Sequence, residues 1–291
     1  MPDFAVGRGD AVLAGSLTLP ERTPAPALVA VHGAEAGVRS YPLYEHLHAV
    51  LPRVGVAAVT FDRRGEGAST GEPSAGRFDL LAADAIAVVE HVAALPEIDG
   101  RRVGLWGISQ GGWVAPLAAT RSERVAFLVL VASAGVSPAE QMRWAVPRQL
   151  RLAGYGDDAV ALQTAARFAL EEVIHGRGSP ERAQELLEAG SREPWWRLAY
   201  LPDRVLEDEE RRQWIEEMDF EPEPVFAVVR VPTLLVYGEE DAWMPIDESI
   251  EAWRRARGDA VDVVRLPGVG HEPIGSREYE EALLAWLRAR S

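Results

Sequence analysis

The chain has 291 residues, 47% of them hydrophobic, enough for one large α/β core with room for an inserted subdomain. Its formal net charge is −15, from 45 acidic residues against 30 basic ones that are all Arg, which makes nucleic acid or an anionic membrane surface a poor partner. There is no Cys, so disulfides, thiolate metal sites and a cysteine nucleophile are excluded. No run approaches 18 apolar residues, so no transmembrane helix is expected. Met1-Pro2-Asp3-Phe4 shows no basic stretch followed by an apolar one, and the expected location is therefore cytoplasmic.

Residues 10–20 alternate as a strand does, with Ala11, Leu13, Gly15 and Leu17 on one side. Ala27-Leu28-Val29-Ala30-Val31 is a continuous apolar run, the pattern of a strand buried on both faces. It ends in His32-Gly33-Ala34-Glu35-Ala36-Gly37. A helix is predicted over 41–51 and a strand over 56–61, which ends in Asp62-Arg63-Arg64-Gly65-Glu66-Gly67-Ala68-Ser69. Leu81, Ala85, Val88, Val92 and Leu95 recur at helical spacing within 78–95. Another apolar run, from Val103, ends in Gly107-Ile108-Ser109-Gln110-Gly111, and a helix-compatible segment follows before a strand over 126–131.

The stretch 137–228 breaks this rhythm. It holds no convincing strand, predicts helices near 138–153, 157–176, 180–190 and 202–217, and carries about half of the excess negative charge. Its aromatics, Trp144, Tyr155, Phe168, Trp195, Trp196, Tyr200, Trp214 and Phe220, read mostly as helical core, with two or three lining a pocket. The expected architecture is a helical insertion, covering one end of the sheet, in a core formed by 1–136 and 229–291. The core resumes with a strand over 233–237, a helix over 247–257, a strand over 261–266 and a closing helix over 277–290. Alternating buried strands and helices imply a parallel sheet with helices on both faces, and ligands in such sheets bind at the carboxyl ends of the strands.

The chemistry converges on Ser109. Gly-x-Ser-x-Gly between a strand and a helix is the context of a nucleophile elbow: the flanking glycines permit the tight turn and the serine Oγ stands at its tip. A serine hydroxyl needs a base to take its proton and an acid to orient that base. Of six histidines, His46, His48 and His91 fall in predicted helices and His175 in the insertion, whereas His271 sits in a Gly-flanked loop after the last strand and is the expected general base. Asp241, after the strand that follows the insertion, is the expected acid, with Glu239 and Glu240 nearer the strand and facing elsewhere. A tetrahedral oxyanion needs donors already in place. The Gln110 amide is one; the loop after His32 supplies the other, Ala34 or else Glu35. A carboxylate at Glu35 would repel the oxyanion, so it points away or meets a cationic part of the substrate. His32 is expected to brace its loop by hydrogen bonds.

Taken together, His32-Gly33, Asp62-Arg63-Arg64-Gly65-x-Gly67-x-Ser69, Gly107-x-Ser109-x-Gly111-Gly112, Gly238-x-x-Asp241-x-x-x-Pro245 and Gly270-His271 resemble the landmarks of the α/β-hydrolase fold, in particular of cap-bearing serine esterases and serine aminopeptidase-like hydrolases. The resemblance spans the chain apart from the insertion. It implies a Ser109–His271–Asp241 triad, Ala34 and Gln110 as oxyanion hole, a structural Asp-Arg-x-Gly loop bracing the floor of the site, and a helical cap, 137–228, between strands six and seven. The departure is Ala34-Glu35-Ala36 after His32-Gly33.

The expected activity is hydrolysis of a small-molecule carboxylic ester through an acyl-enzyme, with no cofactor and no metal. Serine at the elbow argues against dehalogenase and epoxide-hydrolase relatives, which would carry Asp there. An aminopeptidase of the same fold is the alternative, with carboxylates such as Glu171, Glu172, Glu207–Glu210, Glu216 or Glu217 holding an ammonium; acidic runs on helices are more often solvated faces. A non-catalytic ligand-binding module is a third reading, which a complete triad disfavours. No feature of the sequence specifies an oligomeric state.

Overall fold

A computed structural model of the protein describes residues 3–35, 37–74 and 76–290; Ala36, part of the expected oxyanion loop, lies outside them. Among the described residues eight strands form one sheet. A hairpin opens the chain, β1 (Asp3–Arg8) and β2 (Ala11–Thr18), and β2 buries the expected side with Ala11, Leu13, Gly15 and Leu17. β3 (Ala25–Val31), α1 (Pro42–Val50), β4 (Ala57–Phe61), α2 (Phe78–Ala93), β5 (Ile98–Ile108), α3 (Gly111–Ala119) and β6 (Val125–Val131) then alternate. Four helices follow: α4 (Pro138–Leu152), α5 (Asp157–Ile174), α6 (Pro180–Ser191) and α7 (Asp208–Met218). The chain ends with α8 (Pro222–Val228), β7 (Thr233–Gly238), α9 (Ile246–Arg257), β8 (Val261–Leu266) and α10 (Arg277–Arg288).

The sheet order is β1-β2-β4-β3-β5-β6-β7-β8, antiparallel at β1, β2 and β4 and parallel from β4 to β8. Every residue of β3 is buried, as is β5 from Val103 to Ile108. Side chains alternate between the two faces of a strand, so both faces of the sheet are covered. The loops after β3, β4, β5, β7 and β8 therefore gather at one edge, the carboxyl edge.

Contacts divide the chain into two compact units. One holds the sheet: Met1–Gly135, Pro222–Asp241 and Ile246–Ser291. The other is Val136–Glu221 with Ala242–Pro245. The insertion thus ends at 221 and not at the expected 228, because α8 packs into the sheet unit, where Phe226 stacks on Trp253 of α9 at 3.9 Å. β1 is a second departure, a strand the sequence pattern does not mark; only Val6 of it is buried. The helix expected from 202 begins at Asp208, where the Glu207 and Glu210 side chains cap its first turn reciprocally.

Within the helical unit, Val146, Leu150, Trp195 and Ala199 form one apolar cluster. A second is formed by Ala166, Leu170, Ile174 and Leu187, with Trp214 against it. Phe168, read as core, is instead 64% exposed. Tyr155 and Trp195 line a cleft of about 430 Å³ with Asp157, Asp158 and Glu193. No helix among the described residues is long and apolar enough to cross a membrane.

Candidate active site

Ser109 occupies the turn between β5 and α3 with φ = 53°, one of three non-glycine residues among those described with positive φ. That left-handed conformation is costly for a residue with a Cβ and is held by the surrounding packing. The packing here is tight. A Cβ on Gly107 would collide with the carbonyl of Gly111, and one on Gly111 would lie 2.5 Å from the Val31 carbonyl oxygen. The Ser109 N–H donates to Val131 O at 3.0 Å, which pins the turn to β6. Ser109 is half-buried, and Gln110 opens α3, so the site lies at the positive end of that helix.

The β3–β5 register brings the second loop alongside. Val31 pairs with Gly107, and continuing that register sets Gly33 beside Ser109. A Cβ built on Gly33 would lie 3.7 Å from Ser109 Cβ. Among the described residues the N–H groups of Ala34, Glu35 and Gln110 have no hydrogen-bond partner. The Glu35 side chain is exposed.

The loop is held from below. His32 Nε2 donates to Phe61 O at 2.6 Å, and the ring packs edge-on against Phe61 and Tyr44. Burial lowers its pKa to about 4, so the ring is neutral and serves as a brace. Tyr44 Oη accepts the Gly33 N–H at 3.3 Å. Arg63, 4% exposed, donates to Gly33 O (3.2 Å), Ala34 O (2.8 Å) and Gln110 Oε1 (3.4 Å), and its Nε meets Glu66 at 2.6 Å. Asp62 accepts from the Arg39 and Ala68 N–H groups at 2.7 and 2.9 Å.

Asp241 and His271 follow neighbouring strands. Glu239 N–H donates to Leu266 O and Glu240 N–H to Val269 O, so the two loops are laced together. His271 Nδ1 lies 2.9 Å from Asp241 Oδ2, the carboxylate fully buried and the imidazole 23% exposed. A carboxylate accepts from Nδ1–H, so in the neutral imidazole this contact leaves Nε2 as the acceptor. Glu239 instead pairs with Arg265 at 3.2 Å and Glu240 is exposed. The residue after the imidazole, Glu272, accepts from the Tyr41 hydroxyl. Burial, that bond and the Glu272 and Glu35 charges push the Tyr41 phenol up to about 12.

The remaining histidines have other surroundings. His48 lies between the Thr18 and Thr60 hydroxyls, His91 stacks on Phe4, and His175 pairs with Asp219. Among the described residues no group of three or more carboxylates and imidazoles is placed to hold a metal ion. The sequence pattern assigns no role to Tyr44 and gives the loop of Arg63 and Glu66 only a general bracing one. The available sign for Tyr44 was a hydroxyl amid the apolar positions Leu43 and Leu47 of α1; nothing local marks an arginine as buried.

Residues 22–278 match the family described as "Serine aminopeptidase, S33". An uncharacterized 31.7 kDa protein encoded in the traX-finO intergenic region of Escherichia coli is 35% identical over 104 residues, 36% of this chain and 36% of that protein. Among solved structures, proline iminopeptidase from Mycobacterium smegmatis aligns with TM-score 0.65 at 18% identity, covering 99% of this chain and 98% of that one. Est1E from Butyrivibrio proteoclasticus, with ferulic acid bound, aligns with TM-score 0.64 at 19% identity over 98% and 97%. DcsB in complex with its substrate analogue aligns with TM-score 0.68 at 20% identity over 99% and 98%. These likenesses share the α/β-hydrolase fold.

Proposed function

The chain belongs to the serine aminopeptidase S33 family of α/β-hydrolases, and from that premise we propose that it hydrolyses carboxylic esters through an acyl-enzyme on Ser109. The observation that carries the proposal is the left-handed Ser109 between two glycines that have no room for a side chain. Such a strained serine has no evident use in packing and a direct one in exposing a nucleophile.

In the proposed reaction His271 Nε2 takes the Ser109 proton as Oγ attacks the acyl carbon. Asp241 holds the imidazole through Nδ1 and stabilises the imidazolium that forms. The Gln110 N–H and that of Ala34, or of Glu35, none with a partner among the described residues, receive the negative charge on the carbonyl oxygen. His271 then gives its proton to the departing alcohol. In the second half a water, deprotonated by His271, cleaves the acyl-enzyme and restores Ser109.

Ester is preferred to peptide as substrate because three of the carboxylates that could hold an ammonium are already engaged by arginines. Glu171 is paired with Arg143 (2.7 Å) and Arg167 (3.7 Å), Glu172 with Arg177 (2.9 Å), and Glu210 with Arg204 (2.8 Å).

The test is turnover of p-nitrophenyl esters of increasing acyl length by the wild type and by Ser109→Ala. Turnover that falls to background in the variant supports the acyl-enzyme. Wild-type inactivity on every ester, with activity on aminoacyl p-nitroanilides, transfers the same machinery to amides. Inactivity on both classes refutes the hydrolytic reading.

A further inference from the structure

We propose that Arg63 is a positioning residue that sets the oxyanion hole, by gripping the far side of the amides that form it. The inference rests on the reading of Ser109 as nucleophile and goes beyond a general bracing role for its loop.

A trans peptide group is planar, with its C=O and N–H pointing in opposite directions. The Gly33 carbonyl belongs to the same peptide unit as the Ala34 N–H, and the Ala34 carbonyl to the same unit as the Glu35 N–H. Arg63 Nη1 donates to the first oxygen at 3.2 Å and Nη2 to the second at 2.8 Å. One guanidinium thus fixes both peptide planes and turns both N–H groups away from itself. Its charge also polarises each unit toward a more positive N–H. Nη1 reaches Gln110 Oε1 as well, at 3.4 Å, so the same group touches the residue that provides the other donor.

The grip is itself fixed. Arg63 Nε meets Glu66 at 2.6 Å, and the Arg63 N–H donates to Gly37 O at 2.7 Å. A Cβ on Gly37 would collide with the Glu66 carboxylate, so the far end of the loop closes against the anion that anchors the cation. A planar fork of donors reaching three oxygens on two chain segments and an anion on a third cannot be imitated by an ammonium. Burying a cation costs free energy that packing alone would not repay. The ion pair with Glu66 and the bonds to three oxygens offset that cost, and the amides they align are in place before charge develops.

The experiment is steady-state kinetics of Arg63→Ala, Arg63→Lys and Glu66→Gln, on an ester whose turnover requires Ser109. A trifluoromethyl ketone analogue of that ester probes the tetrahedral state. Arg63→Ala is expected to lower kcat about 10²-fold, the scale of losing one oxyanion donor, with KM nearly unchanged. The inhibition constant of the ketone should rise by the same factor as kcat/KM falls, and added methylguanidinium should restore part of kcat. Arg63→Lys should stay impaired, and Glu66→Gln should lower kcat by a smaller factor without moving KM. A folded Arg63→Ala with wild-type kcat, or with a loss carried by KM alone, overturns the proposal. If Arg63→Ala does not fold, wild-type kcat and ketone affinity in Glu66→Gln overturn it. Wild-type turnover in Ser109→Ala refutes the nucleophile and this proposal together, whereas Ser109-dependent turnover indifferent to Arg63 refutes this one alone.

Discussion

Arg64 and Asp84 meet edge to edge, Nε to Oδ2 at 2.6 Å and Nη2 to Oδ1 at 2.7 Å, with both side chains only 2% exposed. The pair ties the loop after β4 to the buried face of α2, and that loop carries Asp62 and Arg63. Removing Asp84 leaves the buried guanidinium with only the exposed Asp10 carboxylate, 3.1 Å from Nη1, as an anionic partner. Asp84→Ala is expected to lower the unfolding free energy by about 3–5 kcal/mol, and joint replacement of Arg64 by Met and Asp84 by Leu to recover most of that loss. Urea unfolding of the single and double variants checks both statements.

Asp241 and Glu240 are neighbours with opposite surroundings, one buried against His271 and the other in solvent. Asp241→Asn should lower kcat by about 10⁴-fold while leaving the fold intact, because the amide favours the wrong imidazole tautomer. Glu240→Gln should leave kcat unchanged. Comparable losses in the two variants would remove Asp241 from the proposed triad.

His32 makes stability depend on pH in a defined window. Its folded pKa is depressed to about 4, below the 6.5 of the unfolded chain, so the unfolded state binds the additional proton between those values. Stability from this group is complete above pH 6.5 and is lost as pH falls toward 4. Burial of His48, also lowered to about 4, acts with the same sign. His32→Gln should flatten the stability profile across that window, with a difference from wild type of up to about 3 kcal/mol in the change from pH 7.5 to 4. Parallel profiles by urea unfolding would show that His32 is not the neutral buried group described.

What could be read in the sequence follows the range of the interactions involved. The apolar runs of β3 and β5 and the glycines around Ser109 are local patterns, and the site grows from them: the β3–β5 register alone sets Gly33 beside Ser109. The placement of Asp241 beside His271 is legible because strand ends and Gly-flanked loops mark the carboxyl edge. β1 is not, since it buries only Val6 and owes its conformation to pairing with β2. α8 was assigned to the insertion because the contact that draws it to the sheet unit, Phe226 on Trp253, joins residues far apart in the chain. The same limit hid Arg63: its partners at 33, 34 and 110 come together only when β3, β4 and β5 lie side by side.

The strand order also bears on how the protein is made. From β5 onward chain order and spatial order coincide, β5-β6-β7-β8, so the sheet lengthens at one margin as the ribosome proceeds. After β6 emerges, residues Val136–Glu221 must be translated before the β7 segment exists. At about 5–20 residues per second the gap of about 100 residues leaves β6 without its outer neighbour for roughly 5–20 s. β6 reads Val-Ala-Phe-Leu-Val-Leu-Val, an uncharged apolar edge of the kind that recruits other strands. Nascent chains paused within the helical insertion are therefore the species in which this protein is most exposed to aggregation, and the ones for which a chaperone that shields an open strand edge matters most.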